Sequence, residues 1–386
     1  MKERLYYLLF NILLIPGWIC VLFLIRFSFL LKPKKKSQVL ALYPYSQEGG
    51  DGYQRRFVEY LEALRNDGIS FNIFDVCYED DFRVAEKKGS IQLYSLLLKN
   101  YYIRIGQTLK IRHYEKAFIQ RGLVPYFFLR KEVLLEKLAS KLCNLVVYDY
   151  WDAVWVGNPM YAEKTARLAH KITVVNTYLE NKFKQWNKQT FNFPIAINLN
   201  HYAQKKNYNL IDEGTLNLVY TGQASHASSM IRLLEENVNF SKLSFKIKLT
   251  LICREALKSQ YFEIENKPFD LQKMSNRMIA SDMGIYAVED NEYNHGKLAM
   301  KSLEYASCQL PQISSPIGLS PAFEESKDFI SLVTKSNWNI ILEDLYRDTD
   351  KRKVIGEQSF KKVKENHSII ASYEAFKKIM ELSIKN

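Results

Sequence analysis

Short continuous apolar runs alternate along this chain with longer stretches in which apolar positions recur at helical spacing. That alternation predicts an α/β protein. In the first half, residues 38–45 (QVLALYPY), 69–76 (ISFNIFDV), 145–149, 172–175 and 193–197 read as strands. In the second half, residues 216–220, 245–253 (FKIKLTLIC), a run about Ile285 and residues 311–315 do the same. Runs apolar at every position, rather than at every second one, suit strands of a parallel sheet covered on both faces. Residues 57–64 have helical spacing, residues 80–135 read as helical and irregular, and residues 359–385 read as a helical tail. Thr177 and Glu180 match a T-x-x-E capping box opening a helix. Residues 198–212 read as a linker. No internal repeat or long low-complexity stretch appears, and the two halves share only the same α/β logic.

The N-terminal pattern is different. Residues 5–25 contain no Asp, Glu, Lys, Arg or His. Twenty-one residues is about the length that crosses a bilayer core. Residues 1–36 hold seven Lys or Arg (four of them Lys32, Lys34, Lys35 and Lys36) and one Glu, a net of +6 out of +12 for the whole chain. The basic flank predicts that the residues after it face the cytoplasm, and an anionic lipid surface is the partner it fits. Pro16-Gly17 interrupts the apolar run. A kinked spanning helix and a re-entrant helix–break–helix both accommodate it. The remaining basicity is spread over some 350 residues, so nucleic-acid binding is not needed to explain it.

Composition narrows the chemistry. A chain of 386 residues has room for about two domains behind an apolar segment. Its five cysteines are scattered with no C-x-x-C, and its six histidines form no H-E-x-x-H or cluster. A disulfide framework and a zinc site are therefore not expected.

Candidate ligand groups fall where strands give way to loops. After the first strand comes SQEGGDGYQRR, whose Gly49, Gly50 and Gly52 permit close backbone approach to a phosphate, with Arg55 or Arg56 downstream; a plain surface loop reads equally well. Asp149 and Asp152 follow a strand end, where ligand groups of open α/β sheets lie. Thr221-Gly222-Gln223 is the turn after residues 216–220. Most informative is residues 296–318, GKLAMKSLEYASCQLPQISSPIG. Lys297, Lys301 and Glu304 stand at i, i+4 and i+7, one face of a helix. Two ammonium groups near a helix start suit a diphosphate, and a carboxylate beyond them suits ribose hydroxyls. The same charges also suit an ordinary solvated helix face.

Residues 281–318 resemble the donor-binding region of family 4 glycosyltransferases. The matching positions are Asp282, Gly284, Asp290, Asn294, Gly296, Lys297, Lys301, Glu304, Tyr305, Ala306, Pro311 and Ser314. LVVYDYWDAVW (145–155) and KITVVNTYLENKF (171–183) are similar to two further segments of that family, in family order. Three positions depart from its pattern: Gly296 replaces the first of two glutamates, Trp151 the first of two aspartates, and Gln309 a small residue.

The resemblance implies two facing Rossmann-like domains (GT-B), here behind an N-terminal membrane helix. The expected division is an anchor at 1–36, an acceptor domain at 37–205, a nucleotide-sugar domain at 206–365, and a helix at 366–386 crossing back to the first domain. It implies transfer of a sugar from a nucleotide diphosphate sugar to a lipid-linked or lipopolysaccharide-type acceptor, with retention, no metal and no cofactor, at a bacterial inner membrane. Lys297 and Lys301 would offset charge on the departing diphosphate. Glu304 would hold the ribose, with Gly222, Gln223, Asn294 and Gly296 lining the donor. Gly49, Gly50, Arg55, Asp149 and Asp152 would face the cleft. No catalytic base is named. A membrane-anchored scaffold that lost catalysis is the alternative, supported by the missing glutamate. A nicotinamide dehydrogenase is ranked below both, because the Gly49 loop lacks G-x-G-x-x-G spacing.

Overall fold

The computed structural model describes residues 2–31, 37–43, 55–124, 133–270, 272–324 and 329–382. The chain divides into two compact units. The first is Met1–Ala196 with Ser372–Asn386, and the second is Ile197–Ala371.

The first unit is built on a parallel sheet of β1 (Ser37–Leu42), β2 (Phe71–Phe74), β3 (Tyr114–Gln120), β4 (Leu145–Tyr150), β5 (Lys171–Val174) and β6 (Thr190–Asn192). Their order is β2-β1-β3-β4-β5-β6. Every residue of β4 is buried, as expected of a central strand covered on both faces. Its helices include α1 (Lys2–Arg26), α2 (Glu79–Lys88), α3 (Ser90–Lys110), α4 (Leu134–Leu142), α5 (Pro159–Leu168) and α6 (Thr177–Lys184).

The second unit is a parallel sheet of β7 (Thr215–Thr221), β8 (Lys246–Ile252), β9 (Glu263–Lys267), β10 (Met283–Tyr286), β11 (Gln312–Ser314) and β12 (Ser331–Leu332). Their order is β12-β11-β10-β7-β8-β9. Its helices include α7 (Ala224–Asn237), α8 (Met300–Ser307), α9 (Thr349–His367) and the start of α10 (Ile369–Met380). The rest of α10 belongs to the first unit, where Phe376 packs against Phe57, Tyr60 and Phe118. Outward from β7, the sheet runs 1-2-3 to one side and 4-5-6 to the other. That is the doubly wound order, with its switch point between β7 and β10.

Several sequence expectations need correction. Residues 80–135 contain β3, a strand at the heart of the first sheet. Its outer half reads Tyr-Glu-Lys, which masks the strand, whereas Ala117 to Ile119 are fully buried. The strand expected at 193–197 is β6, three residues earlier; Phe193, Ile195 and Ile197 lie past it and are buried, with Ile197 forming only an isolated bridge to Ser368. The helix at Thr177 is capped by Asn176, whose side chain accepts from the Leu179 N–H, so Thr177 is already inside it. Glu180 instead contacts Asn192 and Lys184. The tail is two helices that part at Ser368. Residues 198–212 pack into the second unit, with Lys205 buried and donating to the Ser281 carbonyl at 2.7 Å. Pro16 lies within an unbroken helix, so the re-entrant break is not formed.

Candidate functional site

In a doubly wound sheet, ligands lie beyond the carboxyl ends of the strands, where the connections on either side of the switch point diverge. In the second unit the loops after β7 and β10 occupy that place. β7 ends at Thr221, and Gly222 follows with its N–H bonded to the Ile252 carbonyl. A Cβ on Gly222 would lie 2.9 Å from the Tyr220 hydroxyl, so only a glycine lets the turn close over that ring. Gln223 stands at the N-cap of α7, and His226 is in its first turn.

The loop after β10 folds on itself. The Asn291 side chain caps the short helix Glu292–His295 by accepting from the Asn294 N–H. The Asn294 amide donates to the Glu289 carbonyl at 2.9 Å, and His295 meets Asp290 at 2.8 Å. Gly296 ends that short helix in right-handed helical geometry. Gly318 locks the loop from behind. Its φ is +68°, and a Cβ there would lie 2.1 Å from the Lys297 carbonyl oxygen. This is a position only glycine fills.

Lys297 therefore precedes α8 rather than lying on it, and the expected single face of Lys297, Lys301 and Glu304 does not form. The reason is local: Leu298 and Ala299 leave helical geometry, the Ala299 N–H bonds the Gly318 carbonyl at 2.6 Å, and the helix starts only at Met300. The structure gives Lys297 another partner. Its ammonium donates to His226 Nε2 at 2.8 Å, joining the loop after β10 to the first turn of α7 across the switch point. Sequence reasoning missed His226. Its signal was its place four residues after a glycine turn that ends a strand.

Lys301 and Glu304 do share a face of α8. Lys301 Nζ donates to Glu304 Oε2 at 2.9 Å, with the lysine side chain 20% exposed and the glutamate 3%. α8 is held against the sheet by Tyr305, whose ring covers Gly284 and whose hydroxyl donates to the Ile285 carbonyl at 3.1 Å. The Gln312 amide donates to the Ser302 carbonyl, and Ser302 donates to Ser314. Burial pushes the Tyr220 hydroxyl well up, and the nearby Glu304 carboxylate adds to it. Glu304 is thus within electrostatic reach of the end of β7. Asp282 is at the opposite end of β10, where it accepts from the N–H groups of Ile211 and Asn217. Its work is to tie β10 to its neighbours.

In the first unit, Gly49 and Gly50 lie outside the described residues. Arg55 is half-buried, and its carbonyl accepts from the Ala196 N–H. Asp149 forms a fully buried ion pair with Arg56, 3.1 Å from Nη2 to Oδ1. It also accepts from Thr173 Oγ1 and Trp151 Nε1, both at 2.7 Å. Trp151 and Phe193 flank the guanidinium, 5.1 and 4.2 Å from it. The tryptophan that departs from the family pattern is therefore part of a sealed cluster. Burial pushes the Asp149 carboxyl up, while Arg56, Thr173 and Trp151 pull it down. Asp152 pairs with Arg121, a residue in left-handed geometry just past β3, and both keep some exposure. Among the described residues no group of three or more His, Cys, Asp or Glu forms a metal site.

No family model matches the chain, and no curated protein matches it. Solved structures do. An alpha-glucosyltransferase in complex with UDP and a 13-mer DNA is 11% identical, with a TM-score of 0.57 over 90% of this chain and all of that one. The Anabaena protein HepE in complex with UDP-glucose is 10% identical, with a TM-score of 0.59 over 89% of this chain and 99% of that one. At these identities the likeness is one of fold. The chain has the GT-B architecture of two Rossmann-like units, with an apolar N-terminal helix in addition.

Proposed function

We propose that the protein is a glycosyltransferase that takes a sugar from a nucleotide diphosphate sugar, a uridine nucleotide being the first candidate, and passes it with retention to a lipid-linked or lipopolysaccharide-type glycan. The observation that carries the reading is the Lys297–His226 contact across the β7/β10 switch point, close in sequence to the Lys301–Glu304 pair. Cationic and hydrogen-bonding groups gathered there suit a diphosphate, and the N-terminus of α7 adds its dipole to the same place. A buried carboxylate one helix away suits ribose hydroxyls. The fold neighbours hold UDP or UDP-glucose, which supports the uridine choice.

In this reading Lys297, backed by His226, offsets the negative charge that grows on the leaving diphosphate, stabilisation by groups already in place. Glu304 fixes the nucleoside, and the ion pair keeps its carboxylate oriented. Lys301 serves the donor site by holding Glu304 as well as by its charge. Gly222 and Gln223 bring backbone close to the ligand; Asn294 and Gly296 shape the loop that carries Lys297. The acceptor choice rests on the apolar helix α1 and the basic segment after it, which favour an acceptor embedded in the cytoplasmic face of a bacterial inner membrane.

Thermal unfolding of the full chain with UDP, GDP and their sugars tests the proposal. A ligand at a hundred times its dissociation constant stabilises by about 2.7 kcal/mol, a shift easily resolved. A shift with UDP that is lost in Glu304→Ala is the expected result. No shift with any nucleotide would leave a GT-B scaffold without a donor site.

A further inference from the structure

Helix α1 is apolar on every side, yet only one side is used by the protein. Phe10, Leu14, Gly17 and Val21 are buried, spaced by four, three and four residues along one stripe. That stripe docks lengthwise on α3. Glu3 accepts from Ser90, Phe10 stacks on Tyr94 at 5.0 Å, and Gly17 meets Tyr101 and Tyr102. The Tyr102 hydroxyl donates to the Leu13 carbonyl at 2.8 Å, next to the turn that Pro16 loosens. Gly17 is thus a packing position, with no room for a Cβ 2.9 Å from the Tyr101 ring. These contacts keep one register over most of the helix, so α1 and α3 run side by side in the same direction.

The opposite face carries Leu8, Ile12, Ile15, Ile19, Leu22 and Phe23, each 44–61% exposed. Beyond the helix end, Phe29 and Leu30 are more exposed still, and α3 adds Ile91, Tyr102 and Ile103 beside the docking points. A continuous apolar face of this length is far larger than soluble monomers leave in water. It does not resemble a core helix, which would be covered on most sides.

The docking also decides the helix's orientation. If α1 crossed a bilayer, its neighbour α3 would stand at the same depth with Gln92, Ser95 and Lys99 exposed. α2, which packs on α3, would bring exposed Asp80, Asp81, Arg83 and Glu86 near the same layer. Uncovered polar and charged groups at that depth are excluded by the cost of burying them in hydrocarbon. Laid flat, the same helix sinks its open face into one leaflet and leaves α2 and the sheet in water. Arg4 and Arg26 then stand at its two ends, at headgroup level, where anionic lipid is complementary.

We infer that α1 is an in-plane membrane helix: its open face seats the first unit on an anionic leaflet without crossing it, with the mixed polar and apolar face of α3 beside it at headgroup level. This rests on the first unit alone and stands or falls separately from the donor chemistry.

The test tracks both chain ends in the full-length protein made in a bacterium. Protease is added to inside-out membrane vesicles and to spheroplasts, with one epitope tag before α1 and another at the C-terminus. The expected result is that both tags are cut in inside-out vesicles and neither in spheroplasts. An N-terminal tag cut only in spheroplasts would show a spanning helix and overturn the inference, as would an N-terminal tag removed by processing.

A second arm uses purified protein and vesicles of equal parts phosphatidylcholine and phosphatidylglycerol. Leu8→Glu, Ile12→Glu and Ile19→Glu together should weaken flotation by about tenfold or more, because binding scales with apolar area buried. Thermal unfolding should stay unchanged, since these side chains are on the open face. Unaltered flotation in the folded triple variant would overturn the inference. So would a soluble wild-type dimer that the same substitutions convert to monomer, since the face would then seat a second copy of the chain.

Discussion

Each unit buries a carboxylate beside a cation near the carboxyl ends of its strands, and the two pairs are built differently. Asp149 is enclosed by a guanidinium, a hydroxyl and an indole N–H, and Arg56 is itself capped by the Phe193 and Pro194 carbonyls, all with no exposure at either charged side chain. Glu304 is nearly as buried, yet its partner Lys301 keeps a fifth of its side chain open and is only three residues away on the same helix. A charge fixed by rigid donors from several elements cannot exchange partners without opening the unit. A charge paired with a part-exposed ammonium on its own helix is less tightly enclosed, and that difference, rather than burial, is why the proposed donor site includes Glu304 and not Asp149.

The sharpest way to break this contrast is Asp149→Ala. Removing one member of a buried pair costs about 3–5 kcal/mol, because Arg56 is left charged and enclosed. Urea denaturation followed by tryptophan fluorescence should show that loss, with nucleotide binding by the surviving folded fraction unaltered. A loss under about 1 kcal/mol, the range of exposed pairs, would mean the pair is not sealed.

Gly318→Ala comes next. Left-handed geometry costs a non-glycine residue about 1–2 kcal/mol, and the Lys297 carbonyl must also move. Denaturation should report a loss of about 2 kcal/mol or more, and UDP affinity should fall with it as the Lys297 loop shifts. Stability lost with affinity intact would detach that loop from the site.

Glu304→Ala should act on binding rather than on stability. Losing charge-assisted hydrogen bonds of about 1.5–3 kcal/mol predicts UDP binding weaker by an order of magnitude or more, with little change in unfolding. Calorimetry that finds equal affinity in the folded variant would make Glu304 a second Asp149. A finer distinction comes from Lys297→Ala and His226→Ala, which should cost UDP more than uridine, because their expected partners are phosphate oxygens. Equal losses for both ligands would assign them to loop packing.

The smallest effect is a pH slope. Burial raises the Glu136 carboxyl in the first unit, where Tyr161 donates to it at 2.8 Å. Its folded form holds a proton that the unfolded chain has released. Its contribution is therefore full below the ordinary carboxylate range and is lost as pH rises through the raised value. Glu136→Gln, which keeps a neutral group there, should flatten stability over that window; an unchanged slope would place its source elsewhere.

Much of this was legible in the residues. LVVYDY is apolar at most positions because both faces of that strand are covered, and KIKLTLI alternates because Ile247, Leu249 and Leu251 are buried while Lys246, Lys248 and Thr250 are exposed or part-buried, so the α/β class and most strands could be read. β3 could not: its first residues, Tyr114, Glu115 and Lys116, are polar or only part-buried at the sheet's lower end, and β3 comes after a 21-residue helix whose period dominates. At the site, Lys301 and Glu304 were readable because i, i+3 spacing survives in any helix. Lys297 was misplaced because helix starts are decided by tertiary bonds, here from Gly318, that no local pattern records. His226 and Arg56 were invisible as partners for the same reason: each meets its counterpart 71 or 93 residues away.

The docking of α1 also sets a sequence of events. Glu3 and Ser90 are 87 residues apart, so the docking stripe of Phe10, Leu14 and Val21 is synthesised well before the helix that covers it. At about 5–20 residues per second, that interval is roughly 4–17 s, long beside the microseconds in which a helix forms. Throughout it α1 is a finished helix with both its faces bare. The ribosome thus delivers the most apolar part of the molecule as a free body, and α3 has to find it wherever it has come to rest.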